Sequence, residues 1–127
     1  MNFLNEICIF NISKQKWMNI TIDGTAPSGR HFHSGIINNE KLYIFGGKAN
    51  GYKNDHFAFD LNLHCWLEIK PNGEKGDKYP IQRYGHIGVT YKNFNYIHGG
   101  FDDNAFSCSD LFQFDCGKYS QNRIKIL

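Results

Sequence analysis

Two histidines set one residue apart, His31 and His33, have a spacing that chemistry can use. On a strand, positions i and i+2 share a face and could together hold a metal ion. The pair has no support elsewhere. No second His-x-His and no Cys-x-x-Cys occurs, and Cys108 and Cys116 are spaced wrongly for a zinc knuckle. Thiols and imidazoles are available for nucleophilic catalysis, yet no local signature joins them. Two diglycines, Gly46-Gly47 and Gly99-Gly100, raise phosphate binding. A phosphate cradle opens a helix, whereas these glycines follow apolar runs and lead into polar stretches. No metal and no cofactor is therefore expected, and no catalytic residue is assigned.

The same residues carry a different message when their positions are compared. The stretch RHFHSGIINNEKLYIFGG, Arg30 to Gly47, returns as RYGHIGVTYKNFNYIHGG, Arg83 to Gly100. Arg30 and Arg83, His33 and His86, Gly35 and Gly88, Gly46 and Gly99, and Gly47 and Gly100 are all 53 apart. A site for chemistry is seldom duplicated, whereas a packing or hydrogen-bonding role is, so the chain is built from a repeat.

The elements that hold these residues read as short strands. NEICIFN (5–11) alternates apolar and polar residues, and Trp17 opens WMNITI. Two signature strands span about 31–37 and 41–46, with Asn38-Asn39-Glu40 as the turn. KANGYKN reads as a polar loop, DHFAFD as a strand with Phe57 and Phe59 on one face, and WLEIK as a strand opened by Trp66. The polar loop PNGEKGDKYPIQ precedes the next copy, with strands around 84–91 and 94–98 and then DLFQFD. The tail CGKYSQNRIKIL has room for one more strand. Glu6 and Asp55, Phe10 and Phe59, and Trp17 and Trp66 are 49 apart, while Asp55 and Asp110, Phe59 and Phe114, and Asp60 and Asp115 are 55 apart. The offsets differ only by insertions in loops, where a repeat fold tolerates them.

Four short strands in about 50 residues, a diglycine after the second and a tryptophan in the fourth resemble the kelch repeat, one blade of a β-propeller. The residues carrying the resemblance are Arg30, His33, Gly46, Gly47, Asp55, Phe59, Asp60 and Trp66, then Arg83, His86, Gly99, Gly100, Asp110, Phe114 and Asp115. The spacing from Trp17 to Arg30 and His33 looks more like kelch-domain-containing proteins of the Rab9-effector type than the family joined to a BTB domain. The fold this implies is all-β: a partial propeller of about two and a half four-stranded antiparallel blades whose ring is not closed. Residues 1–24 are expected to form the outer strands of one blade, 25–70 a complete blade, and 80–127 a blade with a weak or missing outer strand, since Gln121 stands where a tryptophan would fall. Both Trp17 and Trp66 are expected to cover a neighbouring sheet. Open blade faces and strand edges imply low independent stability and self-association.

Bulk properties fit this picture. Aromatic residues are 16% of the 127, an excess that suits pleated, half-buried surfaces. A net charge of +2, with scattered lysines, gives no case for nucleic acid or a membrane surface. No apolar run approaches bilayer-spanning length and no signal peptide is seen, so the expected setting is cytoplasmic, with reduced cysteines.

The resemblance implies a non-catalytic adaptor or scaffold that binds a protein or peptide. Its contacts are expected just after the motif arginine and the diglycine, at His31, Tyr84, Lys48, Asn50, Tyr52, Phe101 and Asp102. The alternatives are a fragment of a propeller enzyme of the galactose oxidase type, whose tyrosine, histidine and thioether copper ligands cannot be placed on this chain, and a non-functional truncated product.

Overall fold

The computed structural model describes residues 3–70, 79–117 and 124–126, and every regular element in it is a strand. In chain order these are β1 (Ile9–Asn11), β2 (Lys16–Met18), β3 (Asp23–Gly24), β4 (Ser34–Asn38), β5 (Lys41–Ala49), β6 (Gly51–Asp60), β7 (Cys65–Glu68), β8 (Ile87–Tyr91), β9 (Phe94–His98), β10 (Leu111–Asp115) and β11 (Ile124–Ile126). β1 and β2 form a hairpin. β4 to β7 and β8 to β11 each form a four-stranded antiparallel meander, or blade, and β3 joins the first blade beyond β7 in parallel. The architecture is all-β, a partial propeller whose ring is not closed. Among the described residues no helix is long and apolar enough to cross a membrane.

The hydrophobic pattern decides how the blades stack. In β4, Ser34, Ile36 and Asn38 are buried while Gly35 and Ile37 are exposed, the alternation of a strand with one covered face. β5 is buried continuously over residues 43–47, as suits a strand with neighbours on both faces. One core lies between the blades, where Ile36, Tyr43, Phe45 and Ala58 meet Ile97, Phe112, Phe114 and Cys116. A second lies on the opposite face of the first blade, where Ile7 and Ile9 of the hairpin segment cover Ile44, Phe57, Phe59 and Trp66. Burial of each fully covered isoleucine or phenylalanine here contributes about 1.5–3 kcal/mol.

Several boundaries differ from the sequence expectation. KANGYKN is not a loop: β5 runs through the diglycine with a register shift between Phe45 and Gly47, and the hairpin turns only between Ala49 and Gly51. In the second blade the strand does stop at His98, and the diglycine leads into a loop capped by Asp102. The first signature strand begins at Ser34 rather than 31, and Asn38 belongs to it, leaving Asn39 and Glu40 as a two-residue turn with positive φ at both. Trp66 is 6% exposed, but Trp17 is 69% exposed and meets only the edge of Phe10 across its hairpin among the described ring contacts. The inner strands that would complete a sheet beside Trp17 are absent from the described residues. In the tail, where the sequence has room for one more strand, the three-residue β11 pairs with β10. Gln121 and residues 71–78 of the expected loop lie outside the described residues.

Candidate functional site

The repeated residues first build a frame. In the first blade, the Arg30 guanidinium forms a two-pronged ion pair with the Asp55 carboxylate, donates to Gly46 O at 3.0 Å, and donates from Nε to Ser28 O at 3.0 Å. In the second, Arg83 pairs with Asp110 at 2.6 and 3.0 Å, donates to Gly99 O at 3.1 Å and from Nε to Ile81 O at 3.2 Å. Each guanidinium lies over a phenylalanine of the third strand, Phe57 at 5.7 Å and Phe112 at 5.2 Å. Only a planar fork with five donors can join the segment before the first strand, the diglycine carbonyl and the third-strand carboxylate at once. The Arg83 hydrogen bonds hold the Asp110 carboxyl below the usual carboxylate range. Asp60 and Asp115 close the turns after the third strands. Asp60 accepts from the Asn62 and Leu63 amides, which holds its carboxyl low, and Asp115 accepts from Gly117.

The second glycine of each pair makes room for the segment after the arginine. Gly47 (φ +95°) and Gly100 (φ +87°) are left-handed. A Cβ there would come within 2.8 Å of His31 O and 2.7 Å of Tyr84 O respectively. That close approach lets His31 and Lys48 exchange both backbone hydrogen bonds, and Tyr84 and Phe101 likewise.

The two motif histidines differ. His86 is buried between the blades, with Nε2 2.9 Å from Ser34 Oγ and its ring edge-on to Phe45. Burial first, and then the Arg83 charge, push its pKa down to about 4. His33, its register partner, is exposed. Partial desolvation of its ring, then the Arg30 and His31 charges, still lower its pKa. His56 is buried against Phe114, and burial takes it down to about 4. Among the described residues no three of His, Cys, Asp and Glu converge as a metal site would require, and all four cysteines are free.

The two backbone bridges carry the expected contact residues to one rim. Tyr84 is the hub: its ring stacks on Tyr52 at 5.2 Å and lies 5.8 Å from Phe101 and 6.1 Å from Phe32. Phe32 in turn meets His31 edge-on at 4.6 Å, and His31 meets Phe3 at 4.6 Å. Lys48 Nζ sits 5.1 Å over the Tyr52 ring. His31, Lys48, Tyr52, Tyr84 and Phe101 are thus one connected surface. Asn50 stands exposed at the tip of the β5–β6 hairpin beside it, and Asp102 turns its carboxylate inward to the Asn104 and Phe106 amides.

Phe32 was missed by sequence reasoning and is the most exposed member of this ladder, at 61%. Its φ is +56°, a left-handed conformation that costs a bulky residue about 1–2 kcal/mol. Its register partner is Gly85, with φ +65° and nothing within 4 Å of a Cβ. The offset of 53 would have found it: one copy keeps a glycine where the backbone needs one, and the other places a phenylalanine there.

Comparison with known proteins follows the same lines. The model of the KLHDC2/KLHL20/DRC7 Kelch-repeats domain matches residues 1–126. The chain is 30% identical over 112 residues to the leucine-zipper-like transcriptional regulator 1 homolog of Drosophila melanogaster, covering 82% of this chain and 11% of that protein. It is 28% identical over 113 residues to Kelch domain-containing protein 10 of Homo sapiens, covering 87% and 25%. It is 27% identical over 113 residues to the Rab9 effector protein with kelch motifs of Xenopus laevis, covering 85% and 30%. The chain spans less than a third of the length of each of these relatives.

Proposed function

Because this chain belongs to the kelch-repeat family, we propose that it is a non-catalytic protein–protein interaction module, an intracellular adaptor or scaffold element belonging to a larger propeller. Residues 1–24, 25–70 and 80–127 serve as successive units of that scaffold. The rim built by His31, Lys48, Asn50, Tyr52, Tyr84, Phe101 and Asp102, with Phe32 added, meets a protein or peptide partner. The name of one relative, a Rab9 effector, is in keeping with a protein partner.

The observation that carries this reading is Phe32. A phenylalanine held in left-handed backbone, with its ring turned outward beside Tyr84, is a local cost that packing does not require, since Gly85 fills the equivalent place. Such costs concentrate at binding sites. Stacked tyrosines and phenylalanines also supply large contact area with little side-chain entropy to lose.

A displayed library of random twelve-residue peptides, selected on the chain, tests the reading. Enriched peptides should lose binding at least tenfold to a Phe32→Gly, Phe101→Ser double variant. Peptides that bind both proteins equally would place recognition elsewhere, and a selection that yields none would remove the rim from consideration.

A further inference from the structure

The register between the two blades slips in the hairpin that follows the diglycine. Before it the offset is 53 and after it 55, so Phe101 answers to Lys48, Phe106 answers to Gly51, and Asn104 and Ala105 are extra. Insertions in repeat folds fall on loops of one face, often the binding face. The inserted loop is held by its own hydrogen bonds. Asp102 Oδ1 accepts from the Asn104 and Phe106 amides at 2.9 Å each, the Ala105 amide donates to Asp102 O at 3.1 Å, and the Asp102 amide donates to Phe106 O at 3.0 Å. Ala105 is left-handed, at φ +60°. What this loop displays is Phe106, 70% exposed. Its place is open even where a following blade is present. At Gly51, the equivalent position, a Cβ meets nothing within 4 Å, although the second blade is attached two residues on, where Lys53 O accepts from the Arg83 amide. The charge of the hairpin changes as well. Lys48 and Lys53 of the first hairpin have Phe101 and Cys108 as register partners, and residues 99–110 hold Asp102, Asp103 and Asp110 with no lysine or arginine. Asp102 opposes Phe106 across the hairpin, which sets the two on one face. Asp103 beside them is exposed and, among the described residues, has no hydrogen bond or ion pair through its carboxylate.

We propose that this hairpin reads an arginine-bearing segment of the protein partner, with the guanidinium lying over the Phe106 ring and paired by the Asp103 carboxylate. The inference rests on the interaction reading above and names the chemistry of its partner. The chain builds the same constellation twice within its own frame. Arg30 lies 5.7 Å over Phe57 and forks onto Asp55, and Arg83 lies 5.2 Å over Phe112 and forks onto Asp110. The hairpin offers the phenylalanine and the carboxylates without the cation. Arginine suits such a place because its flat guanidinium stacks on a ring, presents paired donors to a carboxylate, and is more weakly hydrated than an ammonium. The loop is ordered before the partner arrives, so little freedom is lost on binding. Phe101, whose ring lies 5.8 Å from Tyr84, joins the aromatic ladder to this hairpin. A segment bound along the ladder therefore reaches the loop at its end.

The displayed peptide library selected on the chain tests this, with Asp103→Lys and Phe106→Ala as variants. Both side chains stand outside the core clusters and outside the hydrogen bonds that hold the loop, and circular dichroism checks that each variant keeps its fold. Selected peptides should be enriched in arginine over the unselected library. A synthetic peptide from the selection should lose affinity at least about tenfold for each variant, and as much when citrulline, of the same shape but without the charge, replaces its arginine. Added salt should weaken the arginine peptide's binding and leave that of the citrulline peptide unmoved. Peptides that lose binding to the Phe32→Gly, Phe101→Ser variant, yet hold equally to Asp103→Lys and tolerate citrulline or lack arginine, overturn this inference and leave the rim standing. A library that enriches nothing, or peptides indifferent to every one of these variants, overturns both.

Discussion

Replacing Gly100 by alanine, with Gly85→Ala alongside, separates two reasons for a glycine. Both residues are left-handed, at φ +87° and +65°. Both substitutions therefore carry the backbone cost, about 1–2 kcal/mol, offset in part by the roughly 0.4–1 kcal/mol that alanine contributes by stiffening the unfolded chain. That leaves a net loss of about 1 kcal/mol for Gly85, where a Cβ meets nothing within 4 Å. At Gly100 the Cβ would sit 2.7 Å from Tyr84 O and 2.9 Å from His86 Cβ. Neither neighbour yields easily: Tyr84 O is bonded to the Phe101 amide at 2.9 Å, and His86 is wedged between blades. Overpacking of this kind adds about 1–3 kcal/mol, so Gly100→Ala should lose about 2–4 kcal/mol in all. Urea unfolding of both variants measures this, provided the slopes stay equal to wild type. Losses that agree within about 0.5 kcal/mol would refute the close-approach account of the diglycine and leave only its backbone angle.

Three further outcomes are expected. Phe32→Gly should change stability by less than about 1 kcal/mol, because relief of the left-handed backbone offsets the lost ring contacts, while abolishing binding of peptides selected on the rim; a large destabilisation in urea would show that Phe32 is a packing residue. Arg83→Lys should cost about 2–4 kcal/mol, since one ammonium cannot serve Asp110, Gly99 O and Ile81 O together; a thermal midpoint equal to wild type would contradict the fork geometry. His56 and His86, both lowered to about 4, stay neutral in the folded protein while the unfolded chain takes up protons near pH 6.5. Their contribution is present in full above that pH and declines as pH falls toward 4, by up to about 1.4 kcal/mol per pH unit for each histidine; urea midpoints that do not move between pH 7 and pH 5 would argue that neither is buried neutral.

The frame was legible in the sequence because it is duplicated and because each of its residue types is required by one geometry. Arginine, diglycine and aspartate at fixed offsets are visible in two copies, and the guanidinium geometry explains why all of them recur together. What stayed illegible depends on neighbours rather than on residue type. Trp17 and Trp66 occupy equivalent places, yet among the described residues only Trp66 is covered by a neighbouring unit. His33 and His86 share a motif, yet among the described residues only His86 is wedged against the unit before it. The two-residue β3 pairs in parallel with β7, a contact with no periodicity to announce it. The extension of β5 past the diglycine needed the backbone bridge from His31 to Lys48, and no residue pattern in a polar stretch reports a bridge.

Arg83 belongs to one blade by its side chain and to the other by its backbone. The guanidinium serves Asp110 and Gly99 in the second blade, while its amide donates to Lys53 O and its carbonyl accepts from the Gly47 amide in the first. The boundary between units therefore runs through a single residue and not through a linker. A tandem copying event of one repeat length carries both roles of this arginine along, so each added blade arrives with its own means of attachment to the blade before it. In a structure that grows by nearest-neighbour contacts, an arginine of this kind lets blade number change while every joint stays the same.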